Sequence, residues 1–248
     1  MSNGVFFIFL VVVSAFAFFI IIESARLTWR MFISRRMTNS IKKFERHNPA
    51  AAQRILFIGD STGHGTGTSH ERYSVVGRLG ADFPDAHIEN HSKTGLALSQ
   101  ACQILRAKAA AKQPEPFDVV IIMVGGINLV YCTPLALVCR MLRSAIAYSK
   151  QCGRETVLIS PNNAGLAPLY RFPLARLYQK RAKQFSAIYR DIAHEERIHH
   201  VSLFQEHSDQ LSANNLFSPD KAHPNDEGYG LWYNQMKETI AAALKSHG

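Results

Sequence analysis

Cysteine is scarce and unpatterned in this 248-residue chain: Cys102, Cys132, Cys139 and Cys152 are the only four, and none forms a C-x-x-C pair. That excludes a disulfide scaffold and a thiolate zinc site. Cys139 and Cys152 read as ordinary free thiols, in keeping with the cytoplasm. Ten prolines and fifteen glycines are too few for a collagen-like or low-complexity chain, and there is no internal repeat. Acidic residues are also in deficit, 19 against 28 Lys and Arg, for a formal net charge of +9. Such a surplus points to an anionic partner, either nucleic acid or a membrane surface. Apolar side chains are not lacking, and at 47% they exclude wholesale disorder. The length suits one domain with an appendage, or two small domains.

The appendage is N-terminal. After a tail of residues 1–4, residues 5–22 read VFFIFLVVVSAFAFFIII, with Ser14 the single polar side chain. As a helix this run spans roughly 27 Å, close to a hydrocarbon core of about 30 Å, so one transmembrane helix is expected. A buried core helix rarely stays apolar on every face at this length. A cleaved signal peptide is the stronger rival, but MSNG carries no basic residue and the run exceeds a typical signal core.

Eight basic residues follow: Arg26, Arg30, Arg35, Arg36, Lys42, Lys43, Arg46 and Arg54. Only Glu23 and Glu45 oppose them, so +6 of the total +9 sits beside the apolar run. By the positive-inside rule this flank, and the domain after it, stays cytoplasmic; a periplasmic or secreted domain is the alternative if 5–22 is a signal sequence. Trp29, Ile33, Met37, Ile41 and Phe44 recur at helical spacing. Residues 23–53 are therefore expected to form an amphipathic segment on an anionic membrane surface, with a solvated basic linker as the alternative. Nucleic acid drops out as a partner, because the anchor accounts for the charge.

From residue 54 the pattern changes. Short apolar runs at 54–60, 86–90, 117–125, 155–160 and 198–203 read as strands buried on both faces. Helical stretches at about 71–80, 96–112, 135–151, 173–195 and 226–245 alternate with them. Strand alternating with helix implies one α/β domain, 54–248, built on a parallel sheet. Ligands bind such sheets at the carboxyl ends of the strands, so the residues just after each strand carry the functional signal.

The first strand runs into Gly59-Asp60-Ser61-Thr62-Gly63. A turn there exposes the Ser61 hydroxyl beside backbone N–H groups and the positive end of a helix dipole. Helix capping by Ser61 is the alternative. Gly63, Gly65 and Gly67 suggest a dinucleotide loop, but Thr68 and His70 stand where G-x-G-x-x-G needs glycine. Near the C-terminus, Asp220 lies three residues before His223, close enough to orient its imidazole as general base for a serine hydroxyl.

Together these segments resemble the SGNH/GDSL hydrolase family, which includes GDSL-like lipases and esterases and lysophospholipase-like enzymes. ILFIGDSTGHGTG matches the opening block, with Ser61 as nucleophile. Ile88-Glu89-Asn90-His91-Ser92-Lys93-Thr94-Gly95 is similar to the second, where Gly95 would donate its N–H to an oxyanion. Asp220, His223 and Pro224, followed by a helix containing Trp232, match the last. The resemblance implies a three-layer α/β/α sandwich with a five-stranded parallel sheet of flavodoxin-like type. The third block, G-x-N-D in the family, departs from the pattern. Taking Gly126-Ile127-Asn128 keeps the Asn oxyanion donor and puts Leu129 in place of the Asp. Starting at Gly125 puts Ile127 in the Asn place and Asn128 in the Asp place. The first alignment is the one expected here, making Ser61, Gly95 and Asn128 the oxyanion hole.

The expected activity is that of a membrane-anchored serine esterase acting on a lipid or small-molecule acyl ester, with no metal or organic cofactor. A carbohydrate O-acetyl esterase or acetyltransferase, and a degenerate membrane-tethered binding module, are the alternatives. His64 and His91 fall near the site in sequence but read as surface residues. His194, His199 and His200 lack metal-ligand spacing. Arg171, Arg176, Lys180, Arg181, Lys183 and Arg190 read as a solvated face or a contact for anionic lipid.

Overall fold

The computed structural model describes residues 3–111, 115–205 and 214–245. Met1 and Ser2 of the tail, Lys112 of the expected 96–112 helix, and residues 113–114, 206–213 and 246–248 of the expected domain lie outside the described residues. The helices are α1 (Asn3–Ser40), α2 (Ser61–His64), α3 (Val75–Asp82), α4 (Leu98–Ala110), α5 (Gly126–Val130), α6 (Leu135–Cys152), α7 (Leu174–Glu196) and α8 (Asp226–Lys245). The strands are β1 (Arg54–Gly59), β2 (His87–Asn90), β3 (Phe117–Met123), β4 (Gly153–Ser160) and β5 (His199–Ser202).

All five strands lie within or overlap the apolar runs, and they pair in parallel in the order β2-β1-β3-β4-β5. Their apolar character on both faces has a direct cause. Ile55 and Phe57 of β1 point into a core with α3 and α8, while Leu56 and Ile58 point into a core with α4, α6 and α7. The result is the expected three-layer α/β/α sandwich. Boundaries moved where local chemistry intervened. Ser74 caps α3 by accepting the Gly77 N–H, so the helix starts at Val75 rather than residue 71. The third run leaves the sheet after Met123, and Gly125 turns the chain with φ +127°.

From β1 the chain first moves outward to β2, then crosses back to β3 on the other side of β1. That reversal opens a crevice at the carboxyl ends of β1 and β3. Ser61 follows the first of these strands and Gly126 the second.

The apolar run does not end its helix at Ile22. With no Gly or Pro between Val5 and Ser40, α1 continues unbroken for 38 residues, about 57 Å. Gly4–Ile22 is exposed throughout, and this helix is long and apolar enough to cross a membrane. Beyond Ile22 one face, including Arg26, Arg30, Ser34 and Thr38, becomes partly buried against the domain. Ile33, Met37, Ile41 and Phe44 are partly buried too, and Phe44 packs on the core beneath Gly80; only Trp29 of that stripe is exposed. Residues 41–53 then cross the outer edge of β2, where Arg46 and Ile88 exchange backbone hydrogen bonds of 3.0 and 2.8 Å. That covers an edge otherwise open to pairing.

Candidate active site

The turn after β1 is built by Asp60. Its carboxyl accepts from the Thr62 backbone N–H at 3.0 Å and the Thr62 hydroxyl at 2.8 Å, and it also takes the Gly126 N–H at the end of β3. Burial pushes the Asp60 carboxyl above its ordinary pKa, against these hydrogen bonds. The turn leaves the Ser61 side chain in the crevice at the start of α2, a single turn too short to carry much of a helix dipole.

The loop before α8 delivers the partners. His223 Nε2 lies 2.8 Å from Ser61 Oγ, and His223 Nδ1 lies 2.6 Å from Asp220 Oδ2. A carboxylate only accepts, so Nδ1 carries the proton and Nε2 accepts from the Ser61 hydroxyl. Asp220 is itself fully buried, its other oxygen accepting from Ser218 Oγ and the backbone N–H groups of Ala222 and His223 at 2.8–3.0 Å. Burial alone would raise its pKa, but the bonds from His223 outweigh that and hold it well below the usual carboxylate range. Residues 162 positions apart in sequence thus form one hydrogen-bonded relay.

The glycines after Ser61 have a packing role. A Cβ on Gly67 would stand 2.3 Å from the Pro224 carbonyl oxygen and 3.2 Å from His223 Cβ, so the bare backbone at 67 is what lets the His223 loop close in. Gly95 differs. A Cβ there meets nothing, but φ is +74°, a conformation that favours glycine. Lys93 N–H donates to the Gly59 carbonyl at 3.1 Å and ties this loop to the end of β1. Among the described residues, no hydrogen bond engages the backbone N–H of Ser61 or Gly95.

Asn128 is not where the first alignment of the third block expects it. It is buried in α5, its Oδ1 accepts the Leu98 N–H at 2.9 Å, and its Nδ2 donates to Thr133 Oγ1 at 3.2 Å. The cavity is lined instead by Gly126 and Ile127. Both polar atoms of the Asn128 amide are thus engaged by Leu98 and Thr133.

Ser61, Gly95 and His223 open onto a cavity of about 510 Å³ with largely apolar walls, among them Met123, Ile159 and Trp232. A family model described as GDSL-like Lipase/Acylhydrolase matches residues 57–231. The chain belongs to the GDSL-like lipase/acylhydrolase family. No curated protein matches its sequence. Solved structures do. A member of the lipolytic G-D-S-L family from Veillonella parvula aligns with a TM-score of 0.63 at 18% identity, over 77% of this chain and 99% of its own. The psychrotrophic esterase EstA from Pseudoalteromonas sp., in a structure inhibited by monoethylphosphonate, gives 0.60 at 19% identity, over 78% and 100%. An acetyl xylan esterase from Geobacillus stearothermophilus gives 0.54 at 20%, over 77% and 95%. At these identities the likeness is one of fold.

As a GDSL-family chain it belongs among ester-hydrolysing enzymes, and the structure adds cavity residues that sequence reading missed. Ile127 lines the cavity, and so do Arg30, Met31, Ser34 and Arg35 of α1. Their spacing of i, i+1, i+4 and i+5 was a legible signal of one helix side, but nothing in the sequence said which surface that side would meet. Of the remaining histidines, His64 and His91 are partly buried outside this cavity; His91 pairs with Glu89 at 3.2 Å. Among the described residues, no group of His, Cys, Asp and Glu is arranged to hold a metal.

Proposed function

We propose that this chain is a membrane-tethered serine esterase. In this reading residues 5–22 span the bilayer, 23–53 connect the span to the domain, and 54–248 form the hydrolase domain on the cytoplasmic side. Ser61 Oγ attacks the ester carbonyl while His223 Nε2 takes its proton. Asp220 holds the imidazole in the productive tautomer and stabilises its charged form. The oxyanion is met by the Ser61 and Gly95 N–H groups, both free to donate. His223 then protonates the departing alkoxide, leaving an acyl-serine. Water, deprotonated by the same histidine, attacks the acyl-serine, releases the acid and restores Ser61. The observation that carries this reading is the unbroken Ser61–His223–Asp220 relay at the mouth of an apolar cavity.

The test is hydrolysis of an acyl-ester series of increasing chain length by the full chain and by Ser61→Ala. Activity is expected to fall at least about 1000-fold in the variant. Persistence at the wild-type rate overturns the reading. Labelling by a fluorophosphonate probe, lost in Ser61→Ala, distinguishes an enzyme from a degenerate binding module. A reporter fused to the C-terminus reads the compartment.

A further inference from the structure

The wall of the cavity that does not come from the hydrolase domain is the basic stretch of α1. Arg30, Met31, Ser34 and Arg35 line the same space as Ser61 and His223. This stretch is fastened on both sides of the site. Arg30 Nη1 donates to the carbonyl of Pro219, the residue before Asp220. About two helical turns further along α1, Thr38 Oγ1 shares a hydrogen bond of 2.9 Å with Thr66 Oγ1, and it accepts from Thr94 Oγ1, beside Gly95, at 3.4 Å. The helix thus lies between the loop that carries the acid–base pair and the loop that carries the oxyanion donor.

The two guanidiniums there keep donors to spare: Arg30 commits Nη1 to the Pro219 carbonyl, and its other N–H groups make no hydrogen bond among the described residues. Neither Arg30 nor Arg35 has a carboxylate partner among the described residues. The two acids lining the cavity are already engaged, Asp60 by Thr62 and Asp220 by His223. Arg26 and Arg171 nearby, by contrast, share a carboxylate partner in Glu23. An arginine fork matches the oxygens of a phosphate better than any neutral group, and two forks on adjoining turns offer more donors than one carboxylate can use. The rest of the wall is apolar and suits an acyl chain.

We propose that Arg30 and Arg35 form an anion subsite, supplied by the anchor helix itself, which binds the phosphate of an acyl ester whose alcohol side is phosphorylated. The ester carbonyl then lies at Ser61, the acyl chain enters the apolar part of the cavity, and the phosphate faces α1. The proposal rests on the serine-esterase reading of this cavity and adds to it which esters are selected.

The experiment uses the full chain in neutral detergent micelles, with two substrates of the same acyl chain, a 1-acylglycerol 3-phosphate and a 1-acylglycerol. The quantity read is the ratio of their kcat/KM values in wild type, Arg30→Gln, Arg35→Gln and the double variant. The expected result is a wild-type preference for the phosphate ester that drops roughly tenfold for each lost charge-assisted contact. A ratio that stays within about twofold in the double variant overturns the subsite. Ser61→Ala separates the two readings, because it abolishes hydrolysis of both substrates if the serine-esterase reading holds. If wild type hydrolyses neither, that reading fails. The subsite is then judged by calorimetric binding of 1-acylglycerol 3-phosphate to the Ser61→Ala chain with and without the two Gln substitutions. Weakening of about tenfold or more supports it, and equal affinity overturns it. A thermal melt of each variant checks folding, and Arg35→Gln, exposed on the helix, provides a variant that packing does not constrain.

Discussion

Asp220 accepts four hydrogen bonds while fully buried, and each one favours the ionised carboxylate beside His223. Replacing it by Asn keeps the shape but lets the amide donate, which stabilises the wrong imidazole tautomer. Asp220→Asn is expected to lower kcat by about 10⁴ with little change in KM, measured on a soluble acyl ester. Asn128 calls for the opposite expectation. Asn128→Ala leaves the Leu98 N–H without its acceptor in the core and should cost about 1–3 kcal/mol of stability by denaturant titration. Its kcat should fall less than tenfold; a fall of 100- to 1000-fold is the signature of a lost oxyanion donor and would return Asn128 to that role. At this scale the meeting of Ser61, His223 and Asp220 was legible, because Ser61 follows β1 directly and the Asp–His pair sits in the loop before α8. The third block was not legible, because Gly125-Gly126 offers two registers one residue apart. The backbone turns at Gly125 with φ +127°, which a sequence pattern does not show.

Loops and helices set these side chains in place, and Gly67 makes that dependence measurable. A methyl group at 67 has to push back the Pro224 carbonyl and with it the loop carrying His223. Gly67→Ala is therefore expected to reduce kcat/KM by at least tenfold, a larger loss than its change in melting temperature would suggest. Restored activity without structural adjustment of that loop would contradict this account. The five strands were readable from sequence because burial on both faces leaves an uninterrupted apolar run. The single-turn helices α2 and α5 left no period to read. The extent of α1 was hidden for another reason. Hydropathy stops at Ile22, yet helix formation depends on the absence of Gly and Pro, and that absence extends to Ser40. Of the apolar stripe, Ile33 and Met37 lie within α1, whereas Ile41 and Phe44 follow its end at Ser40. All four are partly buried, and Phe44 packs on the domain core, a contact that no helical period can specify.

For the molecule as a whole, two carboxyls govern behaviour in acid. Burial would raise the pKa of Glu89, but the hydrogen bond from Lys108, helped by His91 and His87, pulls it down to about 2. Asp220 is likewise depressed. A carboxyl whose folded pKa lies below its unfolded value stabilises the fold above about pH 4 and loses that contribution as pH falls through the folded pKa. The melting temperature is thus expected to drop between about pH 4 and pH 2, and Glu89→Gln should flatten that drop. The charge distribution belongs to this scale too: with +6 beside the apolar run, the rest of the chain carries little net charge. Under the proposed topology the chain stays with membranes through a high-salt wash and keeps its N-terminal residues. Recovery of a soluble product that lacks the apolar run would instead identify a cleaved signal.

The continuity of α1 has a geometric consequence. Eight residues separate Ile22 from Arg30, a rise of roughly 12 Å along a helix without a hinge. With the apolar turns in a bilayer, the helix acts as a gauge that holds the cavity at a set height above the hydrocarbon. The ester carbonyl has to reach that height before any contact in the cavity can discriminate. Four residues inserted after Ile22 lift the cavity by about 6 Å. Turnover of esters embedded in a bilayer should then fall, while esters in free solution, which arrive from any height, are processed as before.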